Sequence, residues 1–123
     1  MTEDELQTFL ERAIPARERF GLIVEECQDQ DVRLRFSLPE GERWSMPALL
    51  ALAEVSLRAA AGGIATTTHL NVTVIRPALE ADVLALARVI RRDLGTIHAE
   101  TWLFSHAVVE PMLHATASLS ASS

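Results

Sequence analysis

The longest stretch of apolar positions without a strand-like alternation runs from Met46 to Ala61. It is built of Ala, Leu, Val and Met and is apolar nearly all round, which predicts a helix over residues 46–61 buried at the centre of a domain. Ser45 is a suitable N-cap, and Pro47 is tolerated in the first helical turn. At about 1.5 Å per residue, this helix is roughly 24 Å long, enough to cross a sheet.

Other hydrophobic patterns predict a short helix and six strands. Thr2 and Glu5 have the spacing of a capping box, and apolar residues at helical spacing predict a helix over residues 3–13, within the N-terminal segment 1–15. Strands are predicted over Phe20–Glu26, Val32–Leu38, Thr66–Ile75, Asp82–Arg91, Thr96–Val108 and Met112–Ser120. A single hydrophobic helix with strands on both sides in sequence must be wrapped by their sheet. We therefore expect one α+β domain over residues 1–123.

Composition narrows the class of protein. The chain has 123 residues, of which 49% are hydrophobic and 23% charged, as expected for one globular domain. A net charge of −6 argues against general nucleic-acid binding. The single cysteine, Cys27, excludes an internal disulfide. The acidic N-terminus and the lack of a long uncharged apolar run indicate neither export nor a membrane span, so we expect a cytoplasmic protein.

Three segments, in this order and spacing, resemble the hotdog thioesterases of the phenylacetic-acid-degradation (PaaI) type. They read SMPALLALAEVSLRAA, TTTHLNVTVIRPA and LHATASLS. The resemblance covers residues 20–121, nearly the whole chain. It implies a hotdog fold, in which a five- to six-stranded antiparallel sheet wraps the long central helix. It also implies hydrolysis of an acyl-CoA or related thioester, without a cofactor.

Glu54 occupies the position of the catalytic carboxylate in these thioesterases. The resemblance implies that it is the general base for water or attacks the thioester carbonyl directly. The neighbouring helix positions are apolar, and a free carboxylate buried there would be costly without a purpose. The alternative role is an ion pair with Arg58, four residues later in the favourable orientation.

Ser45, Met46 and Pro47 lie where the PaaI-type motif supplies an oxyanion site. Such a site needs backbone N–H groups at the positive end of a helix dipole, which Met46 can provide. The family's usual glycine and histidine are replaced by Met46 and Ser45, and the bulky methionine argues against turnover. The alternative is that Ser45 and Pro47 only start the helix.

The spacing of Met46 and Glu54 predicts an oligomer. They are eight residues apart, or about 12 Å along a helix, whereas an attacking group must lie within roughly 3.5 Å of the thioester carbon. One subunit cannot supply both groups to one substrate. We therefore expect an obligate homodimer with two equivalent shared sites, which a further pairing of dimers could turn into a tetramer.

Thr67 lies where a hydroxyl commonly positions the water or the carboxylate in these thioesterases. Strict alternation turns Thr67 away from the central helix, because Leu70 and Val72 are expected to face it, unless a bulge intervenes. The alternative is that Thr66, Thr67 and Thr68 serve only strand formation.

Several residues are candidates for holding the rest of the substrate. Arg76 and Arg91, together with Arg88 and Arg92, could hold the phosphates of coenzyme A, or could be solvated strand edges. Trp44 could line the acyl channel or pack at the start of the helix. The four histidines do not fall at metal-ligand spacing, so no metal site is expected.

These observations favour an acyl-CoA thioesterase over two other functions. The alternative is a hotdog protein that binds an acyl or aromatic ligand without turnover, as Met46 suggests. A hotdog dehydratase is disfavoured, because no histidine precedes His69 in the sequence.

Overall fold

In the part of the chain that the structure describes, two helices and six strands follow one another in the predicted order. The computed structural model describes residues 2–15, 19–28, 30–62, 65–106 and 108–120; residue 1 of the predicted N-terminal segment and residues 121–123 of the predicted domain lie outside this part. The helices are α1 (Glu3–Ala13) and α2 (Met46–Ala60). The strands are β1 (Ile23–Gln28), β2 (Asp31–Phe36), β3 (Thr66–Val74), β4 (Val83–Asp93), β5 (Thr96–Ser105) and β6 (Leu113–Ser120).

The six strands form one antiparallel sheet in the order β1-β2-β4-β5-β6-β3. The central helix α2 packs against five strands, β2 to β6. Alternate residues of β5 and β6 that face α2, such as Leu103 and Leu119, are fully buried. The hydrophobic core therefore lies between α2 and the concave side of the sheet, which confirms the predicted helix wrapped by an antiparallel sheet.

Most strand boundaries lie within two residues of the prediction, and the two larger differences, of three residues each, have local backbone reasons. The first strand begins at Ile23, because Phe20 and Gly21 have left-handed φ values of 49° and 62° and form a turn. The fifth strand ends at Ser105, where Val108 N–H donates to the Ser105 carbonyl at 3.0 Å and turns the chain.

One edge strand of the sheet is covered and the other is not. Helix α1 packs on β1, and the Gln7 side chain continues the hydrogen-bond ladder: it donates to the Leu22 carbonyl at 2.9 Å and accepts from Val24 N–H at 2.7 Å. At the other edge, β3 pairs with β6 on one side, and none of its residues is buried in the described part of the chain. The β1 edge is thus covered and the β3 edge is open.

A buried carboxylate ties three central strands together on the convex side of the sheet. Glu100 on β5 accepts a 2.6 Å hydrogen bond from Arg88 Nε on β4 and lies 3.0 Å from His114 Nε2 on β6. The His114 ring stacks on Trp102, with centroids 3.9 Å apart. The hydrogen bond with His114, assisted by Arg88, lowers the pKa of Glu100 below its ordinary value.

Glu100→Gln tests this network through the pH dependence of stability. We expect the free energy of unfolding at pH 7 to fall by roughly 1–3 kcal/mol, because a buried charged hydrogen-bond acceptor is lost. The folded-state pKa of Glu100 lies below the ordinary 4.5, so its contribution is present above pH 4.5 and is lost as the pH falls through the folded value. Denaturant titrations should therefore show the two proteins converging below pH 4.5.

Glu25→Gln is the matched control, because Glu25 pairs with Arg33 on the surface. It should change stability by less than about 1 kcal/mol. A loss for Glu100→Gln that is equal at pH 3 and pH 7 would show that the side chain acts through packing and not through charge.

Candidate functional site

One side of the central helix is left open by the rest of the protomer. The buried positions of α2 are Leu49, Leu52, Ala53, Val55, Ser56, Leu57, Ala59 and Ala60. A second set, at spacings of three and four residues, is half-buried or exposed: Pro47, Leu50, Ala51, Glu54 and Arg58. This spacing places the second set on one helix face, which we call the open stripe.

Glu54 lies in the middle of the open stripe, and the expectation that it is buried is wrong for one protomer. Its side chain is 45% exposed, because the sheet covers the other faces of the helix. Arg58 Nη1 lies 3.7 Å from Glu54 Oε1. This distance permits an ion pair and is too long for a hydrogen bond, so the carboxylate is loosely held and accessible.

The start of α2 presents one free backbone donor. The Ser45 hydroxyl accepts from Ala48 N–H at 3.2 Å, the Ser45 carbonyl accepts from Leu49 N–H at 3.0 Å, and Pro47 has no N–H. Within the described residues, this leaves Met46 N–H without an acceptor at the positive end of the helix. The Met46 residue itself is 45% exposed. Ser45 and Pro47 therefore start the helix, as their alternative role predicts, and leave Met46 N–H available.

Met46 and Glu54 are not brought together within one protomer. They lie on the same straight helix, eight residues apart, so their backbones are separated by about 12 Å. This separation is the one from which the sequence predicted a site shared between two subunits, and the shared site itself stays a prediction.

The bulge that the Thr67 prediction required is present in β3. Thr67 pairs with Leu119 and His69 pairs with Ser118, so Thr68 is the extra residue. The bulge places Thr67 on the same side as the fully buried Leu119. Thr67 Oγ1 is itself buried and has no hydrogen-bond partner among the described residues. Its hydroxyl thus faces the interior and is unsatisfied in one protomer.

Arg58 has contacts beyond those expected of an ion-pair partner. Its side chain borders a small cleft between α1 and α2, and its Nε is buried without an acceptor in the part of the chain that the structure describes. The other lining residues are Phe9, Leu10, Ala13, Ile14 and Val55. Helical spacing in the sequence predicts the contact with Glu54, whereas the contact with α1 depends on tertiary packing.

Trp44 packs at the start of α2. Its Nε1 donates to the Ala81 carbonyl at 2.7 Å, and its ring centroid lies 5.4 Å from that of Phe20. These contacts match the packing alternative for Trp44, and its contact with an acyl group stays a prediction.

Two of the arginines predicted to hold phosphates, Arg76 and Arg91, have ion-pair partners and lie far apart in the fold. Arg76 pairs with Glu110 and donates to the Pro111 carbonyl, and Arg91 Nε lies 3.2 Å from Asp93 Oδ2. Following the strand register, Arg91 pairs with His98 of β5, and Val74, two residues before Arg76, is in line with Leu103, five residues along the same strand. The two arginines are therefore separated by at least about 17 Å along the sheet. They do not form one phosphate site within a protomer, and their contact with coenzyme A stays a prediction.

Metal-binding clusters and membrane-crossing helices are both absent from the described residues. These residues contain no group of three or more His, Cys, Asp or Glu side chains placed to hold a metal ion. Neither do they contain a helix with the length and apolar character needed to cross a bilayer.

Comparison with known proteins gives structural matches only. No protein-family model and no curated protein matches the sequence. A proposed thioesterase from Silicibacter sp. TM1040 superposes with a TM-score of 0.86 at 23% identity, covering 98% of this chain and 91% of that one.

Two further structures link the fold to phenylacetic acid degradation proteins. A proposed thioesterase of this kind from Ralstonia eutropha JMP134 has a TM-score of 0.75 at 15% identity and covers 93% of this chain and 96% of that one. A mutant of the phenylacetic acid degradation protein PaaI from Thermus thermophilus has a TM-score of 0.74 at 19% identity, covering 89% of this chain and 100% of that one. The resemblance to PaaI-type proteins is thus confirmed at the level of the fold, and the chain has the hotdog fold.

Proposed function

We propose that this protein is an acyl-CoA thioesterase whose active sites are shared between two subunits. The observation that carries the proposal is the open stripe of α2. The stripe follows directly after a free backbone donor at Met46 and holds an accessible carboxylate at Glu54, and these two groups are too far apart to act together in one protomer. The similar structures of two proposed thioesterases support the reaction class.

The reaction follows from these two groups. Glu54 takes a proton from water while the water oxygen attacks the thioester carbonyl carbon. The charge that develops on the carbonyl oxygen is stabilised by the N–H of Met46 of the partner subunit and by the positive end of its helix. The tetrahedral intermediate collapses, the C–S bond breaks, and the thiolate takes the proton from Glu54. The products are a carboxylic acid and free coenzyme A.

Two unsatisfied surfaces of the protomer support the dimer. The β3 edge has free backbone groups along a strand of strongly β-forming residues, and the open stripe exposes apolar helix positions such as Leu50. Pairing of two copies along β3 satisfies the first surface and brings the second under cover. Twofold symmetry then generates two equivalent sites.

A further pairing of dimers has a candidate surface on the convex side of the sheet. Leu84, Leu86, Phe104 and Val109 border an open hollow of about 420 Å³ there. Val109 is 90% exposed. Apolar exposure of this kind supports a dimer of dimers.

The observation that favours a binding protein without turnover is the start of α2. Met46 places an exposed side chain beside the single free N–H donor, where an acyl group has to approach. The hydrolase and the binding protein differ in whether Glu54 changes the rate of thiol release.

Glu54→Gln should reduce the turnover number for acyl-CoA hydrolysis by at least about 100-fold, because a general base contributes roughly 10²–10⁴. Thiol release across a panel of acyl-CoA esters is the measurement, with Glu25→Gln as the control that keeps native rates. Equal turnover by the native protein and Glu54→Gln would contradict the mechanism. If the native protein binds acyl-CoA saturably but does not hydrolyse it, the protein is a binding protein and not a hydrolase.

Thr67→Val separates packing from chemistry at the buried hydroxyl. Removing an unpartnered hydroxyl should leave the free energy of unfolding unchanged or raise it by about 1 kcal/mol. If Thr67 positions the water, the turnover number should nevertheless fall about tenfold. Denaturant titration and the thiol-release assay give the two readouts.

Thr68→Val is the matched control, since the Thr68 hydroxyl donates to the Ser118 carbonyl at 3.0 Å on the surface. It should lose roughly 0.5–1.5 kcal/mol of stability and keep its turnover number. If Thr67→Val instead loses stability and keeps native turnover, the hydroxyl is structural.

A further inference from the structure

The Arg58 side chain has a buried part and an exposed part. Its Nε is buried, the side chain lines a cleft together with Phe9, Ile14 and Val55, and the side chain as a whole is 35% exposed. The exposure therefore belongs to other atoms of the side chain. Nη1 is the guanidinium nitrogen that faces Glu54, at 3.7 Å from Oε1. Arg58 thus presents its charged end to the proposed site.

The contact with Glu54 leaves the guanidinium incompletely satisfied. A guanidinium has five N–H donors in a planar fork that suits two carboxylate oxygens at once. The 3.7 Å separation supplies opposite charge without a short hydrogen bond. An acceptor from a third group can therefore bind at this end of Arg58 without displacing an existing hydrogen bond to Glu54.

As the proposed reaction proceeds, Arg58 has an increasing need for a negative charge beside it. When Glu54 takes the proton from water, its carboxyl group becomes neutral, and Arg58 loses its nearby counter-charge. The cleft beside Arg58 is lined by apolar side chains such as Leu10, so an unpaired cation there is costly. A negative charge on the substrate would offset this cost in the transition state more than in the ground state, where Glu54 is still ionised.

We infer that Arg58 makes the site selective for acyl groups that carry a carboxylate a short distance beyond the thioester carbonyl. This inference rests on the proposed hydrolase function and names its substrate class. The thioester carbon must lie beside Glu54 for attack, and the guanidinium lies within one helical turn of that residue, so a short dicarboxylic acyl group spans the two positions. Hydrolysis converts such a thioester and water into a dicarboxylate and a free thiol.

Glutaryl-CoA and pentanoyl-CoA are the matched substrates, because their acyl chains have equal length and end in a carboxylate and a methyl group. The native protein should favour glutaryl-CoA in kcat/KM by on the order of tenfold to a hundredfold, as expected for one charged hydrogen bond. The larger part of the preference should appear in kcat, because Glu54 and the substrate carboxylate repel each other in the ground state. Arg58→Met should abolish the preference, and Arg58→Lys should keep part of it.

Arg33→Met is the matched control, since Arg33 lies on the convex face in an ion pair with Glu25. It should keep the native ratio. Arg58→Met should fold with an unchanged or higher melting temperature, because it removes a buried N–H without an acceptor. A native preference for pentanoyl-CoA, or a glutaryl preference that survives Arg58→Met, overturns the inference.

A binding experiment separates this inference from the proposed function. If the native protein hydrolyses no ester of the acyl-CoA panel, the hydrolase proposal fails, and thioether analogues of glutaryl-CoA and pentanoyl-CoA then test Arg58 alone. The carboxylate analogue should bind native protein about tenfold more tightly than the methyl analogue, and Arg58→Met should bind both equally. Equal binding of the two analogues by the native protein contradicts the role assigned to Arg58.

Discussion

The structure depends on one geometric constraint: a single curved sheet covers a central helix on only part of its circumference. Helix α2 is apolar nearly all round, and the chain has one sheet with which to cover it. The sheet buries the side that includes Leu52 and Leu57 and leaves the open stripe. The open stripe and the open strand edge lie on the same molecule, so the proposed dimer and the proposed site have one structural origin.

Two carboxylates in this fold, Glu100 and Glu54, differ in environment in a way that fits a structural role for the first and the proposed catalytic role for the second. Glu100 has short contacts with Arg88 and His114 and a lowered pKa, so it is held in the ionised form. Glu54 is more exposed, and its cation lies 3.7 Å away. A carboxylate whose hydrogen-bonding capacity is already filled cannot readily take a proton, whereas a loosely held one can. The contrast supports Glu54, and not Glu100, as the base.

Hydrophobic periodicity predicted most of the fold, because each element has a distinct period. The helix predicted over residues 46–61 is present as Met46–Ala60, and all six predicted strands are present. The turn at Phe20 and Gly21 was missed, because left-handed φ values leave no periodic signal. Neither strand alternation nor β-propensity predicts that the Thr67 side chain points inward, because its orientation depends on the extra residue in β3.

The site was less predictable than the fold, because its properties depend on contacts between distant segments. The apolar sequence around Glu54 suggested burial, but which helix face is covered depends on how the sheet curves. The ion pair of Arg76 with Glu110 joins residues 34 apart. The packing of Arg58 against α1 likewise depends on tertiary structure. Side-chain chemistry was visible in the sequence, and the surroundings of each side chain were not.

Complementation between two inactive variants tests the shared site most directly. Glu54→Gln removes the base, and Met46→Pro removes the helix-start N–H at a position where proline fits the helix. Refolding the two variants together should give about a quarter of native thioesterase activity, because half of the dimers are mixed and one of their two sites is intact. A mixture no more active than its parents would contradict a site built from the helix start of one subunit and Glu54 of the other.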